Sequence, residues 1–507
     1  MHFHPINNPK PMIQNVLVLG AGSAGLIAAI SLKRKIPRLN VRVVRSPSIG
    51  VIGVGESTTP NFPRHLFEYL GISRKRFYEL AQPTWKLGIK FLWGSRGRFD
   101  YTFNLQLDSH WSDLAKPTGF YCDESFDNAS LPGALMRQEM AFPRQPNGAP
   151  DIHEWHAFHI ENKKFVEILE IVAREQGVEF TDGKVTGSER GPNGIAGIHL
   201  EDGQRLAADF FIDASGFRSE LLGKALAEPF MSFSKSLFCD RAVIGGWERG
   251  SDLIQPYTTA ETMDSGWAWQ IDHEHLVNRG YVYCSQAISD DDAAAEFYRK
   301  NPKIKSAPEI VKFRSGCYER QWVENVVALG NSGGFVEPLE STAIMILCSH
   351  TRTLVDFLIH SDLEPTPTMR DLYNDRTHGS WTDIRDFLAL HYKFNGMLDT
   401  PFWQQARDET DVSGLAELLE FYKENGPTGF CRYRLPRTET DFGLEGFLVM
   451  LVGNQVPYNK HHQATPAELA IWNQRKNGFI QAASRGIRSE EALAYVKHPG
   501  WKWNADG

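Results

Sequence analysis

The chain has 507 residues, 62 acidic and 54 basic side chains, a formal net charge of −8 and 42% hydrophobic residues. That length allows a large core, and an acidic excess with no long run of one sign argues against a nucleic-acid partner. No unbroken apolar span reaches membrane length, the proline-bearing start MHFHPINNPKP lacks the apolar segment of a signal peptide, and six scattered cysteines without a C-x-x-C pair indicate neither zinc nor a disulfide framework. The expectation is a cytoplasmic protein with reduced thiols and no metal, membrane or nucleic-acid partner.

In chain order, the first strong signal is VLVLGAGSAG, an apolar run ending in a turn formed by Gly20, Gly22, Ser23, Ala24 and Gly25 at G-x-G-x-x-G spacing. It follows a strand pattern and precedes the helical run LIAAISLKRK, the context a dinucleotide-binding turn requires. The alternative is a glycine turn that serves packing alone. A second strand is predicted at VRVVR, where the position that usually carries a ribose-binding acid holds Arg45. An arginine there suits a 2′-phosphate, or simply a strand end facing solvent. The glycines of IGVIGVGESTTP, residues 49 to 60, suit either a loop wrapped around a cofactor or a plain connector.

The segment TWKLGIKFLW alternates with period two, setting Trp85, Leu87, Ile89, Phe91 and Trp93 on one face and Lys86, Gly88 and Lys90 on the other. On periodicity alone the lysines face solvent. Tyr101 and Phe103 share one face of the next strand. His153, His156 and His159 in HEWHAFHIE are spaced for a metal only on a helix; the intervening Trp155, Ala157 and Phe158 read as a strand, which turns His156 away from the others. An amphipathic helix then runs to Gly177, and hairpins lead back to a buried strand, FFIDASG.

Residues 226 to 310 read as a second, mixed β layer in which Trp267 and Trp269 of SGWAWQID point the same way. The strand NVVAL, a loop at Gly330 and Asn331 and a long apolar helix from Ala343 onward again set backbone amides where an anion or a ring can sit. Glu337 and Glu340 precede that helix, where an acid also satisfies the helix dipole. The remainder, 361 to 507, is mostly helical by pattern, with Trp381, Asp383 and Arg385 opening a helical segment.

Several of these stretches together resemble the flavin-dependent tryptophan halogenases: GAGSAG, GVGEST, WKLGIKF, GWAWQI, FVEPLEST, LHYKFN and DTPFW. The resemblance implies an α/β fold: a flavin monooxygenase-like FAD-binding unit with a Rossmann-type βαβ start, a mixed β-sheet layer on the substrate side and a helical C-terminal part. Residues 1 to 360 would form the FAD-binding module, with the β layer inserted at about 60 to 150 and 226 to 310; residues 361 to 507 would pack on it. Trp267, Trp269 and Ile271 match the family's W-x-W-x-I mark, although Asp272 stands where a proline usually follows.

The resemblance also implies chemistry. Lys86 and Glu340 fall on the family's essential lysine and glutamate. FAD, arriving reduced from a separate flavin reductase, would be held by Gly20, Gly22, Ser23, Ala24, Gly25, Arg45, Val54, Gly55, Glu56, Ser57, Gly330 and Asn331. With FAD implied, Arg45 belongs beside the adenosine portion. Halide would sit at Thr342 and Ala343, the latter a glycine in the family, which suggests bromide over chloride. Tyr101, Phe103, Pro338 and Ser341 would line the aromatic substrate's site. Tyr101 replaces a family histidine, and residues 429 to 457 carry no counterpart of the cluster that grips the amino-acid end of tryptophan. Free indole, or a similar electron-rich aromatic, is therefore expected to be accepted better than tryptophan. The rival readings are an aromatic hydroxylase on the same scaffold and a flavin-binding protein without catalysis.

Overall fold

A computed structural model describes residues 12–48, 50, 55–107, 111–114 and 126–503. Its first sheet has six strands in the order Trp322–Val323, Val326–Ala328, Phe210–Asp213, Asn15–Leu19, Asn40–Arg45 and Glu179–Asp182, parallel except for the hairpin at one edge. Asn15–Leu19 lies centrally because Val16 and Val18, with Leu17 and Leu19, bury both of its faces, the pattern of a parallel strand covered on two sides. The helix Ser23–Lys35 returns over the sheet and packs on the helices Asn162–Glu175 and Thr342–His360.

A seven-stranded sheet forms the second layer, in the order Glu309–Lys312, Arg241–Glu248, Leu276–Tyr283, Gly266–Asp272, Thr258–Met263, Gly88–Leu92 and Phe99–Thr102. Only Thr258–Met263 with Gly88–Leu92 is parallel. Strands from the two expected insertions thus meet in one sheet.

Between the two layers sits a small antiparallel sheet of Gly55–Ser57, Ala157–Glu161 and Thr84–Lys86. The run read as one strand from 84 to 93 is therefore two. At Leu87 the backbone leaves its partner and donates to Pro256 O (2.8 Å). Trp85 and Leu87 then belong to the core under the first sheet, whereas Ile89, Phe91 and Trp93 belong to the core of the second. Lys86 stands at the junction, wholly buried, so the solvent-facing reading from periodicity fails there.

The C-terminal part is helical: Pro367–Lys393, Pro401–Glu409, Ala416–Asn425, Gly443–Gly453, Pro466–Ser484 and Ser489–Lys497. Trp381, Asp383 and Arg385 lie inside the 27-residue helix Pro367–Lys393 and do not open a segment. One helix, Thr342–His360, is long and apolar enough to cross a bilayer by length and composition, although Arg352 and Asp356 interrupt its apolar run. Most of it is buried against neighbouring helices, which accounts for its apolar character.

Candidate active site

Three strand ends of the first sheet build one cradle. After Leu19 the chain turns at Gly20 with φ +118°, and a Cβ there would stand 2.3 Å from Ala214 O; a Cβ on Gly25 would stand 1.9 Å from Gly20 O. Only glycine lets the turn, the helix and the neighbouring strand end come this close. At Gly22, by contrast, a Cβ would meet no atom within 4 Å, so this backbone faces open space. Gly22 is also the N-cap of Ser23–Lys35 and supplies no side-chain cap, which leaves first-turn amides available to an anion. The Gly330–Ser332 turn comes alongside, with a Cβ on Gly330 placed 2.9 Å from Ala24 Cβ. Asp213 closes the third strand end by accepting from the backbone amides of Ser215, Leu221 and Leu222. A cradle with open backbone amides suits a dinucleotide pyrophosphate.

Val54 lies outside the described residues. Arg45 is engaged at the sheet's edge, where Asp182 and Glu170 bind its guanidinium and hold its pKa above the usual value. Gly55, Glu56 and Ser57 form an outer strand of the small sheet that carries Lys86, across Ala157–Glu161 from it.

Lys86 Nζ donates to Ser341 Oγ (2.8 Å) and Thr58 O (3.1 Å), and lies 5.2 Å from the Phe103 ring centroid. Burial disfavours the ammonium and brings its pKa down to about 7, with Glu340's charge pulling the other way. Glu340 is buried, and its Oε1 lies 2.7 Å from His391 Nε2. His391 Nδ1 is 3.0 Å from the Phe387 carbonyl, which can only accept, so Nδ1 carries a proton. A further proton must then lie between Nε2 and the carboxylate.

Ser341 has φ +59° and is the N-cap of Thr342–His360, again with no side-chain cap. Thr342 is buried whereas Ala343 is exposed, so the first turn of the helix opens on one side. Pro338 starts the short helical turn that delivers Glu340. This turn is anchored from behind by Glu337, whose carboxylate accepts from Trp267 Nε1 (2.5 Å) and Tyr392 Oη (2.5 Å) and is pushed up to about 7 by burial. Trp269 and Ile271 are buried in the same core. The W-x-W-x-I residues thus support the turn that carries Glu340. Asp272 contributes through its backbone, its carbonyl accepting from Thr84 Oγ1 (2.5 Å) on the strand of Lys86.

Half-buried Tyr101 and Phe103 stand beside this group. Tyr101 is 6.4 Å from the Phe387 ring, which stacks on Phe442 at 3.7 Å. The result is an aromatic wall beside a buried amine, suited to a flat ring. His391, Phe387 and Phe442 are the contributors that sequence reasoning missed. His391 lies in LHYKFN, but nothing in that motif marks it as facing Glu340. The three histidines of HEWHAFHIE do not converge. His156 Nδ1 contacts the His153 carbonyl, and His159 Nε2 contacts Thr258 Oγ1 at 2.8 Å.

A family model described as tryptophan halogenase matches residues 15–468. The tryptophan 7-halogenase KtzQ of Kutzneria sp. (strain 744) is 32% identical over 446 residues, 82% of each chain. RebH of Lentzea aerocolonigenes, also a tryptophan 7-halogenase, is 30% identical over 441 residues, 81% of this chain and 82% of its own. Among solved structures, MibH, named a lathipeptide tryptophan 5-halogenase, superimposes with TM-score 0.88 at 38% identity, covering 98% of this chain and 96% of that one. BrvH, a flavin-dependent halogenase from Brevundimonas sp. BAL3, gives TM-score 0.84 at 27% identity, with 96% and 100% covered.

Proposed function

The chain belongs to the flavin-dependent tryptophan halogenase family, and from that membership we propose that it halogenates an indole ring beside Lys86, using reduced FAD, oxygen and halide. FAD, held by the Gly20–Gly25 turn, the Gly55–Ser57 strand, Gly330 and Asn331, with Arg45 towards its adenosine end, would supply oxidised halogen as hypohalous acid. A separate flavin reductase would deliver it reduced, and the location is proposed as cytoplasmic.

The observation that carries this reading is the wholly buried Lys86 amine, with a pKa of about 7, set between Ser341 and the Phe103 ring. Near neutral pH the amine is present both as a base, able to take the halogen on nitrogen, and as an ammonium, able to donate a hydrogen bond to the oxidant. Glu340, coupled to His391, takes the proton that leaves the ring carbon. The capless first turn at Thr342 and Ala343 provides amides for the halide, and the Ala343 methyl group in place of a hydrogen favours bromide over chloride.

For the substrate, Phe103, Tyr101, Phe387 and Phe442 hold the ring. Glu445, an acid of the 429 to 457 segment, accepts from the backbone amides of Gln106 and Leu107. Its carboxylate is therefore engaged within the fold, which supports free indole over the zwitterionic tryptophan of the named relatives. The test is product mass after incubation with FAD, a flavin reductase and bromide or chloride, with indole and tryptophan in competition. Replacement of ring hydrogen by halogen supports the proposal. A hydroxylated product formed equally without halide would replace it with the hydroxylase reading, and faster turnover of tryptophan would overturn the substrate preference.

A further inference from the structure

The small sheet that carries Lys86 also carries His159, which the proposed chemistry does not use. His159 lies on Ala157–Glu161, in register with Ser57 on one side and Thr84 on the other, and is wholly buried. From it an unbroken line of hydroxyls runs to the amine. His159 Nε2 is 2.8 Å from Thr258 Oγ1, which is 2.9 Å from Ser57 Oγ; Ser57 Oγ is 2.9 Å from Ser341 Oγ, itself 2.8 Å from Lys86 Nζ.

The direction of this line follows from its ends. Lys86 donates to Ser341, and each hydroxyl has a single proton, so Ser341 donates to Ser57, Ser57 to Thr258 and Thr258 to His159. Nε2 must then be unprotonated. Burial, together with the charge of Lys86 and the neighbouring His273, holds His159 neutral. The remaining charge at the Lys86 end is Glu340.

We infer that His159, acting through Thr258, Ser57 and Ser341, is a positioning residue that fixes the direction in which Lys86 presents its lone pair. A neutral amine has two N–H bonds, and Thr58 O and Ser341 Oγ are placed to accept both. The lone pair is left for the side occupied by Phe103. Without an acceptor at the far end, the line is free to reverse; Ser341 then donates to the amine and occupies that lone pair.

The kinetic consequence rests on the halogenase reading, but the geometry can be tested without it. Cyanic acid carbamylates a neutral amine: the nitrogen lone pair bonds to the cyanic-acid carbon, the C=N π pair moves to the cyanate nitrogen, and that nitrogen takes the amine proton, leaving a urea. Carbamylation of Lys86 is followed by peptide mass spectrometry on the full chain at about pH 9, where the amine is neutral. Thr258→Val and His159→Leu should each lower the Lys86 rate about tenfold, the population cost of one hydrogen bond, whereas Thr258→Ser should restore it. In the halogenation assay the same variants should lose kcat with KM and FAD affinity unchanged. Wild-type carbamylation in Thr258→Val and His159→Leu, with FAD affinity intact, would overturn the inference. Absence of any halogenated product from the wild type, with the carbamylation difference intact, would instead overturn the proposed function.

Discussion

Replacing Lys86 with methionine, which keeps the side chain's length but removes its charge, should make the protein more stable in mild acid and less stable in base. An amine that titrates at 10.5 when exposed and at about 7 in the fold differs by about 3.5 pH units, or about 5 kcal/mol. Above 10.5 the amine is neutral in both states. As pH falls towards 7 the unfolded chain binds a proton that the folded one does not, so the wild type loses about 1.4 kcal/mol per pH unit; below about 7 the full cost applies. Methionine removes that cost but leaves the Thr58 carbonyl and Ser341 hydroxyl without their donor, a pH-independent loss of about 1–3 kcal/mol. The variant should therefore be about 2–4 kcal/mol more stable at about pH 6 and roughly 0–2 kcal/mol less stable at about pH 10, where about 0.8 kcal/mol of the wild type's cost remains. Urea unfolding of both proteins at the two pH values gives the comparison. A stability gap that stays constant with pH would show that the amine titrates normally in the fold, and the reasoning about its burial would fail.

Lys86→Ala should abolish halogenated product while oxidation of reduced flavin continues, checked by oxygen consumption beside product mass. Glu340→Gln should slow turnover by about 10²-fold, the scale of one acid–base group, with FAD affinity unchanged in a binding titration. If the neutral amine is the reactive form, kcat should fall below about pH 7, tenfold per pH unit; a plateau through that range would assign the work to the ammonium. Gly22→Ala should fold normally, since its Cβ meets no protein atom, yet bind FAD more weakly; unchanged affinity would remove that turn from the cofactor's path. Ala343→Gly should shift halide competition towards chloride.

The βαβ start was legible because Gly20, Gly22 and Gly25 answer to local demands of backbone conformation and close approach, which spacing records directly. The second β layer and the mostly helical end were legible in the same way, from alternation and helical period. Lys86 was not. Period two assigns a side chain to a face but does not say whether that face is wet, and here the strand breaks at Leu87 and passes between two cores. The pairings that give the site its chemistry are longer-range still. Ser341 meets Lys86 and Ser57, His391 meets Glu340, and Trp267 meets Glu337 across gaps that no local pattern spans. The family resemblance named Lys86 and Glu340, but not the hydroxyl line to His159 or the carboxylate that Trp267 holds.

The central claim is that halogen reaches an indole ring by way of Lys86. It is tested most directly by comparing wild type and Lys86→Ala in one reaction series with FAD, flavin reductase, bromide and indole, each product read by mass spectrometry. The account predicts bromoindole from the wild type and none from Lys86→Ala at equal oxygen consumption; equal bromoindole from both would contradict it.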